Sequence, residues 1–154
     1  MDTIKRIQSF SINHDKLLPG LYVSRVDGDI TTYDMRTRRP NTGDLMDNST
    51  MHSLEHMFAT YIRNGALSSH IVYFGPMGCQ TGFYLLVRHA DNEAVLAEVR
   101  RTLEKIIAHE GPVFGAARRE CGNYANLSLD KSKIEARRYL AELDARPVTF
   151  IYEE

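Results

Sequence analysis

Apolar and polar positions follow two different periods along this chain, which predicts a mixture of β-strands and α-helices. Short runs rich in β-branched and aromatic residues, bounded by turn residues, are typical of strands. An Asp27-Gly28-Asp29 turn separates the first two runs and predicts a β-hairpin. We expect strands at residues 21–26, 30–36, 70–74 and 83–88.

Three longer segments repeat apolar residues at the i, i+3, i+4 spacing of an amphipathic helix. We expect helices up to residue 63 in the first segment, at 91–109 in the second and at 130–143 in the third. Asn48, Ser49 or Thr50 is expected to cap the start of the first helix, and Gly65 to follow its end. Helices packed on an antiparallel sheet give an α+β fold, with one domain over residues 1–154.

Two segments near the ends of the chain carry weaker patterns. Residues 7–15 mix Ser, Asn and His with a few apolar residues, and we expect a strand or an extended arm. Residues 148–152 are expected either to add a last strand or to pack on the surface.

The first predicted helix carries the sequence His-x-x-Glu-His at His52, Glu55 and His56. At roughly 100° per residue, the two histidines lie about 40° apart around the helix, and Glu55 lies about 60° to the other side of His52. Leu54, Met57 and Phe58 cover the opposite side. This face therefore presents two imidazoles to one metal ion with an acid/base group beside them. The alternative is a helix that carries two histidines without binding a metal.

A catalytic site of this kind usually has three protein ligands and one open position. Cys121 is a natural third ligand because Gly122 follows it directly and predicts a sharp turn. Two histidines and a thiolate suit Zn²⁺ or Fe²⁺. A copper electron-transfer site uses similar ligands but has no use for Glu55.

Two other interpretations of the motif remain. His-x-x-Glu-His also occurs in inverted zinc metallopeptidases, although these use a downstream carboxylate on a much longer chain. A structural or regulatory metal-binding module would have four protein ligands. That interpretation leaves Glu55 and the glycine-rich loop around Cys79 without a role.

The composition is that of an ordinary soluble domain. Of 154 residues, 43% are hydrophobic and 25% charged, and the net charge of −1 gives no reason to expect a nucleic-acid partner. No apolar run is long enough to cross a membrane, and the first residues lack the apolar stretch of a signal peptide. The two cysteines are too few for a disulfide scaffold. We therefore expect a cytoplasmic location.

Three motifs together resemble the S-ribosylhomocysteine lyase (LuxS) family of bacterial enzymes, which make the precursor of autoinducer 2. They are Thr50-Met51-His52-Ser53-Leu54-Glu55-His56, Pro76-Met77-Gly78-Cys79-Gln80-Thr81-Gly82 and Glu120-Cys121-Gly122. The similarity extends to Ser9-Phe10, His14, Asp34-Met35-Arg36 and Pro40-Asn41. It covers most of the chain, in the family's order and at the family's usual length.

The resemblance implies a carbon–sulfur lyase that converts S-ribosylhomocysteine to homocysteine and 4,5-dihydroxy-2,3-pentanedione. It implies one Fe²⁺ per subunit, which Zn²⁺ or Co²⁺ can replace, held by His52, His56 and Cys121. The carbonyl group of the substrate migrates by proton transfers, which the family assigns to Cys79 and Glu55, and a β-elimination follows.

The resemblance also implies a homodimer with the active site near the subunit interface. Ser9, His14 and Arg36 are expected to bind the substrate, some of them from the partner chain. The planar guanidinium of Arg36 suits a ligand rich in carboxylate or hydroxyl groups.

Overall fold

The computed structural model describes residues 3–154, which contain one four-stranded antiparallel sheet in the order β1-β2-β4-β3. The strands are β1 (Gly20–Asp27), β2 (Ile30–Arg36), β3 (Ile71–Pro76) and β4 (Gly82–Arg88). The predicted hairpin is confirmed, because β1 pairs with β2 and Gly28 at the turn has a φ of 60°. Glycine takes this left-handed angle without a steric cost.

Three helices accompany the sheet: α1 (Asn48–Arg63), α2 (Asn92–Ala108) and α3 (Leu129–Ala145). The predicted α+β class is confirmed. The predicted cap of α1 is wrong by one residue, because Asp47 is the N-cap and its carboxylate accepts a 2.7 Å hydrogen bond from the N–H of Thr50. The Lys131 ammonium and this Thr50 N–H lower the pKa of Asp47 to about 2. The carboxylate therefore remains charged at neutral pH and caps the helix.

One face of the sheet forms the core together with the helices. Phe58 of α1 stacks on Phe74 of β3 with 4.4 Å between ring centroids, and Phe74 stacks on Phe83 of β4 at 5.0 Å. Tyr33 and Met35 on β2 are equally buried. Each such side chain contributes roughly 1.5–3 kcal/mol through burial. α1 is therefore firmly fixed to this face.

The opposite face of the sheet is polar near the ends of β2 and β4. Successive side chains of a strand point to opposite faces, so Asp34 and Arg36 point away from the core that Met35 enters. Asp34 pairs with Tyr84 across the sheet, which places Tyr84 on this outer face as well.

Residues 7–15 were expected to form a strand or an extended arm, and the strand is not formed. Gln8–Phe10 and His14–Lys16 are short 3₁₀ turns instead. Asn13 explains the second turn, since its side-chain oxygen accepts a 3.1 Å hydrogen bond from the N–H of Asp15. Asn side chains of this kind compete with strand pairing for backbone groups.

The last segment (residues 146–154) follows α3 and packs along β1 without forming a strand. The N–H of Val23 donates a 2.8 Å hydrogen bond to the carbonyl of Phe150, within a single parallel bridge between Tyr22 and Phe150. The rings of Tyr22 and Tyr152 stack at 4.9 Å. No helix within residues 3–154 has the length and apolar character needed to span a bilayer.

Candidate metal centre and the Cys79 groove

His52, His56 and Cys121 form the candidate metal centre. One ligand atom from each lies within 4.8 Å of the other two. The two histidines occupy successive turns of α1, and Cys121 lies in the loop between α2 and α3. The Nε2 atom of His52 lies 3.2 Å from the Sγ atom of Cys121. The structure thus brings together the three residues that the sequence nominated.

The two histidine rings are held from behind by hydrogen-bond acceptors. The Nδ1–H of His56 donates to the carbonyl of Phe114 at 2.8 Å, and the Nδ1–H of His52 donates to the side-chain oxygen of Asn126. The amide of Asn126 in turn donates to Asn48 at 2.6 Å, which orients its oxygen towards His52. Because Nδ1 carries the proton on both rings, both Nε2 lone pairs are free to bind a metal.

The third ligand and its surroundings also fit a metal. The N–H of Asn123 points at the Sγ atom of Cys121 from 3.5 Å and helps to hold the sulfur in place. Gly115 has a φ of +67°, and a Cβ atom at this position would lie 3.1 Å from Nδ1 of His56. The loop can therefore bring the carbonyl of Phe114 close to the histidine ring. Two imidazole nitrogens and one thiolate match the three-ligand set of a catalytic metal site.

Sequence reasoning missed Phe114, Gly115 and Asn126, which support the two imidazoles. A backbone carbonyl leaves no signal in a sequence, because every residue has one. Asn126 lies 74 residues from His52, and nothing local links the two. Gly115 was the only one of the three with a detectable feature, a glycine next to an aromatic residue.

Glu55 lies on the same helix and is partly exposed. Within residues 3–154 its carboxylate forms no hydrogen bond or ion pair, whereas Glu98 and Glu135 of the other helices pair with arginines. A carboxylate on the same helix as two candidate metal ligands, and without a structural partner, is available for proton transfer.

Ser9, His14, Arg36 and Cys79 form a second group, which we call the Cys79 groove. They line one open cavity of about 330 Å³ together with Tyr84 and neighbouring residues of the first segment and the β3–β4 loop. All four were nominated from the sequence, one for catalysis and three for substrate binding. The residues of the metal centre do not line this cavity, and neither does Glu55.

Arg36 connects the groove to a buried ion pair. Its Nε and Nη2 atoms donate to the two oxygens of Asp34 at 3.1 and 2.7 Å, and both side chains are almost completely buried. Its Nη1 atom donates to Thr81 at 2.8 Å and lies 3.7 Å from the Sγ atom of Cys79. Burial alone would lower the pKa of Arg36, but the Asp34 carboxylate outweighs burial and raises it.

A permanent positive charge therefore lies directly beneath an exposed thiol. Thr81 also contacts the sulfur, at 3.0 Å, and fixes its position. The groove thus holds a thiol that contacts both a buried guanidinium and solvent.

The metal centre and the Cys79 groove lie on opposite sides of the sheet within one chain. α1, which carries both histidines, packs on the core face through Phe58. Arg36 and Tyr84 of the groove point to the outer face because strand side chains alternate. A small molecule bound in the groove is therefore separated by the sheet from the helix of the same chain that carries the metal centre.

The family model described as S-Ribosylhomocysteinase (LuxS) matches residues 7–148. A protein named S-ribosylhomocysteine lyase from Finegoldia magna is 42% identical over 142 residues, covering 89% of this chain and 90% of the relative. Proteins of the same name come from Clostridium beijerinckii, at 42% identity with coverage of 91% and 92%, and from Borrelia garinii subsp. bavariensis, at 40% with coverage of 92% and 94%.

Proposed function

This chain belongs to the S-ribosylhomocysteinase (LuxS) family, and we propose that it cleaves S-ribosylhomocysteine to homocysteine and 4,5-dihydroxy-2,3-pentanedione. The match over residues 7–148 confirms the family resemblance predicted from the motifs. Within that match, the convergence of two Nε2 atoms and one Sγ atom is the observation that supports a metal-dependent reaction most directly. Neither the geometry nor the comparisons favour the metallopeptidase alternative.

The metal is proposed to be one Fe²⁺ per subunit, bound by His52, His56 and Cys121. Imidazole and thiolate ligands suit Fe²⁺, Zn²⁺ and Co²⁺, so either of the other two ions can replace it in a preparation. When bound, the ion supplies Lewis-acid polarisation of the substrate carbonyl, which makes the neighbouring C–H group more acidic.

The reaction requires three proton-transfer stages. In the first, a proton moves from carbon 2 of the open-chain sugar to carbon 1, and another moves from the oxygen on carbon 2 to that on carbon 1. The second stage repeats this between carbons 3 and 2 and leaves the ketone at carbon 3. A proton then leaves carbon 4, the C5–S bond breaks, and the departing sulfur takes a proton to give homocysteine. The remaining enol tautomerises to the dione.

Cys79 is assigned the transfer of protons at carbon, because its exposed sulfur lines the groove 3.7 Å from the charged guanidinium of Arg36. Glu55 is assigned the transfer of protons to and from the substrate oxygens, because it lies between His52 and His56 on α1 and its carboxylate has no partner within residues 3–154. Ser9 and His14 line the same cavity as Cys79 and are assigned to substrate binding. Arg36 is assigned to substrate binding and also contacts the sulfur of Cys79.

In a homodimer, the metal centre and the Cys79 groove can meet if each active site is composite, that is, formed by residues of both chains. We assign to each active site the Cys79 groove of one chain and the metal centre of its partner. Apolar side chains on the exposed surface near the groove support an interface there, with Ile7 57%, Phe10 70% and Tyr73 51% exposed. A cytoplasmic location agrees with two cysteines that remain free thiols.

Release of free thiol from S-ribosylhomocysteine tests the proposed reaction. The protein is prepared anaerobically with Fe²⁺, and the metal content of each sample is measured. We expect the wild type to release thiol, His56→Ala to lose both metal and turnover, and Cys79→Ala to keep the metal but lose turnover by about 10²–10⁴-fold.

His70→Ala serves as a control, because His70 donates to the carbonyl of Arg88 away from both groups. It should keep metal and turnover. Metal-loaded wild type that releases no thiol would contradict the proposed function. Substantial turnover in Cys79→Ala would contradict the role of the thiol.

A further inference from the structure

The last segment (residues 146–154) contacts the Asp34–Arg36 ion pair, which in turn contacts Cys79 in the groove. The hydroxyl of Tyr152 donates a 2.7 Å hydrogen bond to Oδ2 of Asp34. The same oxygen accepts from Nη2 of Arg36 at 2.7 Å, and Nη1 of Arg36 lies 3.7 Å from the sulfur of Cys79. A continuous line of contacts therefore runs from Tyr152 through a buried ion pair to the proposed base.

Tyr152 is well suited to act as a permanent donor in this line. Burial and the Asp34 carboxylate both raise the pKa of Tyr152 above its usual value, so the phenol keeps its proton throughout the working range. Asp34 is completely buried, and a buried acceptor left without a donor is destabilising. The Tyr152 hydroxyl supplies a donor to Oδ2 in addition to those from Arg36.

Contacts other than the hydrogen bond to Asp34 also hold the Tyr152 ring. The ring stacks on Tyr22 at 4.9 Å, and the backbone two residues earlier is tied to Val23 by the 2.8 Å hydrogen bond from its N–H to Phe150. The hydroxyl of Tyr22 donates instead to the carbonyl of Leu18 at 2.7 Å. Two stacked tyrosines thus present their hydroxyls to different partners, and only Tyr152 contacts the ion pair.

We infer that Tyr152 is a positioning residue of the Cys79 groove, which holds the Asp34 carboxylate so that Arg36 is directed at the sulfur of Cys79. The inference rests on the proposed role of Cys79 as a base. Without the hydroxyl, the Asp34 carboxylate has one donor fewer and draws the guanidinium towards itself. Its less neutralised negative charge also acts on the sulfur. Both changes make the thiolate of Cys79 less stable.

The charged and titratable groups around Cys79 allow this effect to be isolated. Arg36 faces the sulfur from β2, Tyr84 lines the cavity from β4, and His14 lines it from the first segment. Tyr152→Phe removes one hydroxyl and changes none of these groups. Tyr22→Phe is the matched control, because it removes a hydroxyl from the same aromatic stack without touching Asp34.

The experiment measures the rate at which iodoacetamide alkylates Cys79 as a function of pH, with the modified peptide identified by mass so that Cys121 is counted separately. We expect the profile of Tyr152→Phe to shift to higher pH and that of Tyr22→Phe to match the wild type. Turnover of S-ribosylhomocysteine should fall about 3- to 10-fold in Tyr152→Phe, the loss that corresponds to one hydrogen bond, and mainly in kcat.

Two outcomes would overturn the inference. In the first, both variants alkylate like the wild type, whatever their turnover. In the second, Tyr152→Phe lowers the melting temperature but leaves the alkylation profile unchanged, which would make its role purely structural. Alkylation does not require turnover. The comparison therefore still decides the role of Tyr152 if the wild type releases no thiol and the proposed function fails.

Discussion

The metal centre and the Cys79 groove prepare their reactive atoms in opposite ways. In the metal centre, neutral acceptors hold the protonated nitrogens of His52 and His56, so that lone pairs are directed inward. In the groove, a buried full charge on Arg36 acts on the sulfur of Cys79 from 3.7 Å. The metal centre depends on the orientation of two imidazole rings, whereas the groove depends on the charge of one guanidinium. The two should therefore respond differently to substitution.

Arg36→Met is expected to have the largest effect, because it leaves the Asp34 carboxylate buried without its cation. Removing one partner of a buried ion pair typically costs about 3–5 kcal/mol. Thermal unfolding should show a large loss of stability, and Cys79 should alkylate more slowly at neutral pH. A variant as stable as the wild type would show that the ion pair is not needed for the fold.

Arg25→Met, which breaks the exposed pair Arg25–Asp27, is the control against which the loss of stability in Arg36→Met is compared. Both side chains are about half exposed, and water and salt screen such pairs so that they contribute little to stability. Arg25→Met should therefore leave the melting temperature almost unchanged. Similar losses in the two variants would mean that burial of the Asp34–Arg36 pair has no special consequence.

Gly115→Ala tests the directional arrangement and should have an intermediate effect. The added methyl group would meet Nδ1 of His56 at 3.1 Å and displace the ring from the carbonyl of Phe114. Loss of such a supporting contact typically weakens metal binding about 10- to 100-fold. Metal affinity is measured by competition with a chelator.

Gly111→Ala is the control for backbone strain. Gly111 also has a positive φ, of +99°, but a Cβ atom there meets nothing within 4 Å. It should lose stability without losing metal affinity. Equal loss of affinity in both variants would assign the effect of Gly115→Ala to the backbone rather than to His56.

Asp47→Ala is expected to have the smallest effect, about 0.5–2 kcal/mol of stability from a lost helix cap. The folded pKa of Asp47 is lowered to about 2, below its usual value of 3.8. The cap therefore stabilises the protein fully above about pH 4, and this stability is lost as the pH falls towards 2. The difference in melting temperature between wild type and variant should accordingly disappear between pH 4 and pH 2. A difference that persists at pH 2 would contradict the cap.

Local patterns explain which parts of the molecule the sequence predicted. The β1–β2 hairpin, the ends of α2 and the spacing of His52 and His56 depend on residues close together in the chain. The 3₁₀ turns before β1 and the Asp47 cap were missed because several polar side chains compete there for the same backbone groups.

The hydrogen bonds that hold the reactive groups in place join residues that are far apart in the chain. Asp34 accepts from Tyr152 across 118 residues, and His56 donates to Phe114 across 58. No period or spacing records such contacts, since they form only when the chain has folded. The sequence therefore nominated Arg36 and Cys79 but did not show that a buried carboxylate and a tyrosine hold them in place.

The composite site, with Cys79 from one chain and the metal centre from its partner, is tested most directly by subunit complementation. His56→Ala and Cys79→Ala chains are given different affinity tags, and the mixed dimer is purified through both. Each variant alone should release almost no thiol from S-ribosylhomocysteine. A two-fold symmetric mixed dimer contains one site with both intact parts, so it should recover about half of the wild-type rate. A purified mixed dimer with no recovered activity would show that Cys79 and the metal act within the same chain, and would contradict the composite site.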